Sequence, residues 1–372
     1  MKKVRLSYVR WLILTILFCF VLFASISSEI GEWYAIYLYP GISKIISFIS
    51  STIPFSLDEW TILAFIFLLI SYPIYGRIQK KKKWLQIISV EIEIIMWIYV
   101  WFYWGWGMNY YRESFYQRTD VKPITYDKVK FDAFLTDFSN GMKQAYRECQ
   151  SIGLAQSSDL FRPMNDLTQL ASIHNEIKSI YKRIPRKYGL TVPTSYQHPK
   201  YPSFNSVYSN VGVLGFMGPF FAESHVNQEL SMLEYPFTYA HELSHLLGIS
   251  SEAEANLWAY IVCLQSSRPL IRFSGYIGLL SYVRANAMYL LSPSDFEAWD
   301  FSLSPDIHAI NYRIHAYWIL RYNHTLGEIQ SEIYTFFLKR NKISSGQKNY
   351  AQVVGMLLAL PNIEILIGKN CE

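Results

Sequence analysis

Hydrophobic and polar positions divide the chain into a strongly apolar first part and an amphipathic remainder. Three runs in the first part are long and apolar enough to cross a bilayer, at about residues 11–27, 60–75 and 85–106. The third run ends in a cluster rich in tryptophan, residues 101–106, which is typical of a membrane interface. We therefore predict a membrane domain over residues 1–108 and a second domain over residues 109–372.

Basic residues near these runs predict the orientation of the chain. They lie in the amino-terminal segment up to Arg10 and in the run of residues 77–83. Basic loops stay on the cytoplasmic side, so we expect both segments there. The first run lacks a convincing small-residue cleavage site and is interpreted as an uncleaved anchor. Three spans then place the second domain outside the cytoplasm, in a multi-pass protein of the cell membrane whose partner is the lipid bilayer.

The second domain has a helical pattern with one interruption. Phe131, Phe134 and Phe138 recur at helical spacing, whereas residues 193–219 are rich in Gly, Pro, Tyr and Val. This pattern predicts a mainly α-helical fold with a small β component. Composition agrees with membrane contact, since 51% of the residues are hydrophobic and only 17% are charged. No basic stripe interleaved with aromatic residues is present, so we do not expect nucleic-acid binding.

One motif carries the clearest chemistry: His241-Glu242-Leu243-Ser244-His245. On a helix, histidines four residues apart project from one face and can bind the same zinc ion. The glutamate between them lies close enough to take a proton from zinc-bound water. Gly248 supplies a natural end to the helix. An ordinary amphipathic helix with exposed histidines is the alternative interpretation.

A catalytic zinc ion needs a third protein ligand, and residues 251–256 supply two glutamates for that place. Ser251 and Glu254 have the spacing of a capping box, which would give Glu254 a structural task. Glu252 and Asn256 stand four residues apart on one helical face, so Glu252 can bind the metal while Asn256 supports a histidine. The pattern favours Glu252, and Glu254 is the alternative.

The order HExxH, glycine, then glutamate and Asn256 resembles that of the gluzincin-type, zincin-like metallopeptidases. These include the membrane prenyl-protein and heat-shock peptidases and the ImmA/IrrE-like proteins. In them the glutamate four residues before the Asp or Asn is the third zinc ligand, which the resemblance assigns to Glu252. Nearly the whole chain also resembles a bacterial family catalogued as a domain of unknown function, with three amino-terminal spans and an HExxH domain. That second resemblance implies a shared architecture but no substrate.

Three further residues and one segment have weaker signals. Residues 211–216 are predicted either as an edge strand above the zinc helix, where an extended peptide can pair, or as a Gly-rich loop at the membrane surface. His225 can line the cleft or stabilise an oxyanion, although a hydrogen-bonded loop histidine is the more ordinary interpretation. Arg272 and Tyr276 can polarise a carbonyl or bind a substrate carboxylate, and helix packing explains them equally well.

Together these features predict a membrane-anchored zinc metallopeptidase that cleaves a peptide or protein substrate, with Glu242 as the general base. Two alternatives stay open. The zinc site can be structural, in a non-catalytic protein that binds a partner through its surface. Glu91 and Glu93 lie inside the third apolar run and can serve a transporter, although they are also close enough to its basic end to reach the membrane surface.

Overall fold

The computed structural model describes residues 2–154, 158–341 and 352–360, and most of these residues are helical. Contacts divide the chain into two compact units. Unit 1 comprises Met1–Glu113 together with Gly218–Glu223, and unit 2 comprises Ser114–Met217 together with Ser224–Glu372. Unit 1 therefore includes a short segment from the middle of the sequence in addition to the amino-terminal part.

Unit 1 contains three long apolar helices. Its α-helices are, in chain order, α1 Lys2–Ile26, α2 Ser28–Trp33, α3 Tyr39–Ser51, α4 Leu57–Ile78 and α5 Trp84–Gly105. In α1, α4 and α5, stretches of 19 to 22 residues are long and apolar enough to cross a membrane, and 17% or less of each is buried. Apolar side chains that face outward all round a helix are typical of a membrane span. The three predicted apolar segments are thus confirmed as helices able to span a membrane.

The segment Gly218–Glu223 joins unit 1 through reciprocal hydrogen bonds with the start of α4. Asp58 accepts hydrogen bonds from the backbone N–H groups of Phe220 (2.8 Å) and Phe221 (3.2 Å). Glu223 in turn accepts hydrogen bonds from the first two backbone N–H groups of α4. Because the first N–H groups of a helix lack intrahelical partners, a carboxylate is a favourable acceptor there.

Unit 2 holds the remaining α-helices of the described residues. They are α6 Phe115–Thr119, α7 Lys128–Ser151, α8 Leu167–Tyr181, α9 Asn205–Asn210, α10 Tyr235–Leu246, α11 Glu252–Leu264, α12 Pro269–Leu290, α13 Pro293–Ser302, α14 Pro305–Ile319, α15 His324–Arg340 and α16 Val353–Ala359. Helices α10, α11 and α12 pack against one another, and α7 packs on α12. Two short strands, β1 Gly215–Gly218 and β2 Glu223–Val226, pair with each other. The predicted combination of many helices and a small sheet is confirmed.

The strand predicted at residues 211–216 is wrong in its bounds, because β1 begins only at Gly215. Gly212 adopts a left-handed φ of +74°, and the backbone N–H of Val213 donates to the carbonyl of Tyr208. These features close the end of α9 and keep residues 211–213 out of the extended conformation. The strand was predicted from its position before the zinc helix, and that position does not reveal such a turn.

Candidate metal centre

A tight turn brings the end of α10 beside the start of α11. Gly248 has a φ of +99°, a conformation that residues with a Cβ rarely adopt, and its N–H donates to the carbonyl of His245 (3.0 Å). Helix α11 begins after Ser251, whose hydroxyl accepts a hydrogen bond from the N–H of Glu254 (3.4 Å). The glycine stop and the serine cap, both read from the sequence, therefore set the geometry of the centre.

Three side chains converge at this reversal: those of His241, His245 and Glu252. The two Nε2 atoms lie 3.1 Å apart, and Glu252 Oε2 lies 3.1 Å from one and 3.4 Å from the other. Zinc binds nitrogen and oxygen ligands tetrahedrally at about 2.0–2.1 Å, which puts the ligand atoms roughly 3.3 Å apart. The three donors therefore have the spacing of a zinc coordination sphere. Across the described ranges, no other three His, Cys, Asp or Glu side chains converge in this way.

The second nitrogen of each ring fixes its orientation. His241 Nδ1 donates to Asn256 Oδ1 (2.9 Å), and His245 Nδ1 donates to the carbonyl of Ile249 (2.7 Å). Because both oxygens can only accept, each Nδ1 carries its hydrogen and each Nε2 of a neutral ring presents a lone pair. Two lone pairs and a carboxylate oxygen at this separation repel one another unless a positive charge lies between them. The residues present thus fit a bound cation.

The titration of the cluster supports the same conclusion. Burial acts to lower the pKa of His245, but the adjacent Glu252 carboxylate outweighs it and raises that pKa to about 9. Burial acts to raise the pKa of Glu252, but the two imidazoles hold it well below its usual range. The cluster therefore binds positive charge strongly, which either a proton or a metal ion can supply.

Glu242 lies next to the cluster in a buried position. Burial raises the pKa of its carboxyl to about 7, and the nearby His241 and His245 act in the opposite sense. Glu242 Oε2 has no hydrogen-bond partner among the described residues. Gly215 of β1 packs so closely that a Cβ there would lie 2.7 Å from Glu242 Oε1. A buried carboxylate oxygen beside a cation site is suited to accept a proton.

Glu254, the alternative ligand, is held by other partners. One of its oxygens pairs with Arg118 Nη2 (2.5 Å), and the other accepts a hydrogen bond from Trp258 Nε1 (3.1 Å). Both side chains of the ion pair are almost fully buried. Ser251 does cap α11, but the expected return bond of a capping box is replaced by these contacts. Glu254 therefore has a structural task, as a member of a buried ion pair and not through the predicted capping box.

The family comparison covers this whole arrangement. Residues 34–358 match the model of a family described as a protein of unknown function, DUF3810. The chain belongs to the DUF3810 family. The match includes the four residues at the centre, His241, Glu242, His245 and Glu252. No curated protein and no solved structure matches the chain.

In this DUF3810 member, three other predicted residues lie in packing positions. His225 is part of β2 rather than a loop, and its fully buried ring stacks on Phe216 at 4.2 Å. Arg272 pairs with Glu148 of α7, and Tyr276 packs edge-on against an aromatic ring of the same helix. These contacts tie α12 to α7 and agree with the helix-packing interpretation of Arg272 and Tyr276.

The two glutamates of α5 belong to unit 1. Glu93 accepts a hydrogen bond from Arg10 Nη2 (2.9 Å), so its charge is balanced within the unit. Glu91 Oε1 is buried and has no hydrogen-bond partner in the part of the chain that the structure describes. Of the two glutamates that the transporter alternative needs, Glu93 is thus paired with an arginine, whereas Glu91 has a buried oxygen without a partner among the described residues.

Sequence reasoning missed two residues that contact the glutamates of α11. Arg118 reaches Glu254 from α6, and the hydroxyl of Tyr334 on α15 donates to Glu252 Oε1. Tyr334 lies 82 residues beyond Glu252. No local spacing relates such distant positions, and the only signal available was that the resemblance to the family covers nearly the whole chain.

Proposed function

We propose that the chain is a membrane-anchored zinc metallopeptidase. The observation that carries the proposal is the convergence of His241 Nε2, His245 Nε2 and Glu252 Oε2 at 3.1–3.4 Å, next to Glu242 Oε2, which has no hydrogen-bond partner among the described residues. Three protein ligands leave the fourth position of a tetrahedral ion for water, which is the arrangement of catalytic rather than structural zinc. A buried general base beside the ligands is required for hydrolysis but not for a structural site.

Each residue of the centre has a separate task in this mechanism. His241, His245 and Glu252 would hold the zinc ion, which lowers the pKa of a water toward about 7 and polarises a carbonyl. Glu242 Oε2 takes a proton from the attacking water and then delivers it to the nitrogen of the leaving amine. Asn256 keeps the His241 ring in the tautomer whose Nε2 can bind a metal.

The substrate that we propose is an extended peptide. Strand β2 pairs with β1 on one side and forms a bridge with Lys200 on the other. Within the described residues no strand pairs with the second edge of β1, whose Gly215 touches Glu242. A peptide that adds to this edge gains main-chain hydrogen bonds and passes close to the general base.

The cellular location follows from the charge pattern and is part of the proposal. Among the described residues, three helices are long and apolar enough to span a membrane. With the amino terminus and the basic residues 77–83 in the cytoplasm, an odd number of spans puts the metal centre on the outer side of the cell membrane. Peptides or proteins in that compartment are then the accessible substrates.

Replacement of Glu242 by Gln separates catalysis from metal binding. The full-length protein, purified in detergent, is incubated with a mixture of quenched fluorogenic peptides, and its zinc content is measured in parallel. We expect Glu242→Gln to keep its zinc and to lose peptide hydrolysis by roughly 10²–10⁴-fold, the usual contribution of a general base.

Glu234→Gln is the matched control, since Glu234 is a partly buried glutamate directly before α10 and accepts hydrogen bonds from Ser231 and Trp318. This variant should hydrolyse the peptides at close to the wild-type rate. Wild-type rates in the Glu242→Gln protein would overturn the proposed mechanism.

A further inference from the structure

The two oxygens of Glu252 face different partners. Oε2 faces the imidazoles of His241 and His245, whereas Oε1 accepts a hydrogen bond from the hydroxyl of Tyr334. The Glu252 side chain is buried, so these neighbours rather than water determine its orientation. Tyr334 reaches the centre from α15, a helix whose described residues contribute no donor to the metal cluster.

We propose that Tyr334 is a positioning residue that makes Glu252 bind the metal through one oxygen only. The inference rests on the proposed metal site. A carboxylate can bind a cation through one oxygen or through both, and rotation about its terminal bond decides between these modes. The phenol hydrogen bond occupies Oε1 and resists the rotation that would bring that oxygen to the cation.

The number of oxygens that bind matters for catalysis. With Oε2 alone, the protein supplies three ligand atoms, and the fourth tetrahedral position stays available for water. If Oε1 also bound, the protein would supply four ligand atoms, and water would have to enter as a fifth ligand. Tyr334 therefore acts through Glu252 and keeps the centre in its catalytic form.

Tyr334→Phe tests this task, because it removes the hydroxyl and keeps the ring. Tyr276→Phe is the matched control, since Tyr276 is a partly buried tyrosine of unit 2 whose ring packs against Phe138 and Tyr260. Both full-length variants and the wild-type protein are purified in detergent and stripped of metal. They are then titrated with Zn²⁺ and, separately, with Co²⁺, whose visible absorption intensity falls when its coordination rises from four to five ligands. Circular dichroism checks that each variant is folded.

We expect Tyr334→Phe to bind Zn²⁺ about 10–100-fold more weakly, as is typical when a hydrogen-bond partner of a metal ligand is removed. We also expect its Co²⁺ absorption to weaken relative to the wild type, which a general loss of stability would not cause. Tyr276→Phe should match the wild type in both measurements.

Each possible result has a separate meaning. A Tyr334→Phe protein with wild-type Zn²⁺ affinity and an unchanged Co²⁺ spectrum would overturn the positioning task while leaving the metal site in place. A wild-type protein that binds neither ion would refute the proposed function, and the inference about Tyr334 would fail with it.

Discussion

Helices α5 and α11 each carry two glutamates separated by one residue: Glu91 and Glu93 in unit 1, and Glu252 and Glu254 in unit 2. In each pair one carboxylate meets an arginine. Glu93 is paired with an arginine of α1, and Glu254 with an arginine of α6. Such a carboxylate has its charge balanced by the protein and needs no further cation.

The other member of each pair shows the difference between the helices. Glu252 faces two imidazole nitrogens, whereas Glu91 Oε1 has no hydrogen-bond partner among the described residues. Identical spacing in the sequence therefore does not give identical chemistry. Several donors can hold a metal ion only where they converge on one point, and α10 supplies the two histidines that converge with Glu252 of α11.

The largest expected effect comes from removing the charge of the converging glutamate. Glu252→Gln should weaken Zn²⁺ binding by at least about 100-fold, because one ligand of a tight zinc site contributes roughly 3 kcal/mol. Peptide hydrolysis should be lost with the metal. Glu93→Gln, which changes an arginine-paired glutamate of α5, should leave the zinc content unchanged. Mass spectrometry measures the metal content of both variants. Equal zinc loss in the two would contradict the claim that only the glutamate of α11 binds the metal.

The arginine-paired glutamate of α11 should matter for stability instead. Arg118→Met leaves the buried carboxylate of Glu254 without its counter-charge and should lower the free energy of unfolding by about 3–5 kcal/mol. Zinc stoichiometry should stay at the wild-type value in the folded protein.

Urea unfolding in detergent measures the loss of stability. The double variant Arg118→Met with Glu254→Gln is the control, since it removes both charges and keeps an acceptor for Trp258. It should recover much of the loss. A single variant as stable as the wild type would show that the ion pair is not structurally important.

The sequence predicted the parts of this comparison that depend on local pattern. The apolar runs became α1, α4 and α5, because length and hydrophobicity determine whether a helix is able to span a membrane. The HExxH spacing predicted that both histidines project from one face of α10, and Gly248 predicted where that helix ends. Helical periodicity and the capping-box spacing of Glu254 favour Glu252 as the ligand, the resemblance to the gluzincins implies the same, and Glu252 is the one that lies beside the histidines.

Contacts between distant segments were beyond such reasoning. Arg118 and Tyr334 reach α11 from positions 136 residues before Glu254 and 82 residues after Glu252. Only the packing of helices brings them there, and one sequence has no periodicity that relates them. Gly212 has a left-handed conformation that ends α9, so that β1 begins only at Gly215. This backbone property is likewise not evident from the residue types.

The smallest effect is expected for the solitary glutamate of α5. Glu91→Gln should change neither zinc content nor peptide hydrolysis, because Glu91 belongs to no group of three or more His, Cys, Asp or Glu side chains that could hold a metal ion within the described part of the chain. The measurement is the peptide assay with the full-length protein in detergent, and Glu93→Gln is assayed beside it. A large loss of hydrolysis in Glu91→Gln alone would show that unit 1 takes part in catalysis.

The metal content of the purified wild-type protein tests the central claim most directly. The full-length chain, extracted in detergent without added metal and analysed by mass spectrometry, should contain one zinc ion per chain. The His241→Ala/His245→Ala variant, purified in the same way, should contain none. A wild-type protein that binds no zinc even when Zn²⁺ is supplied in excess would contradict the account.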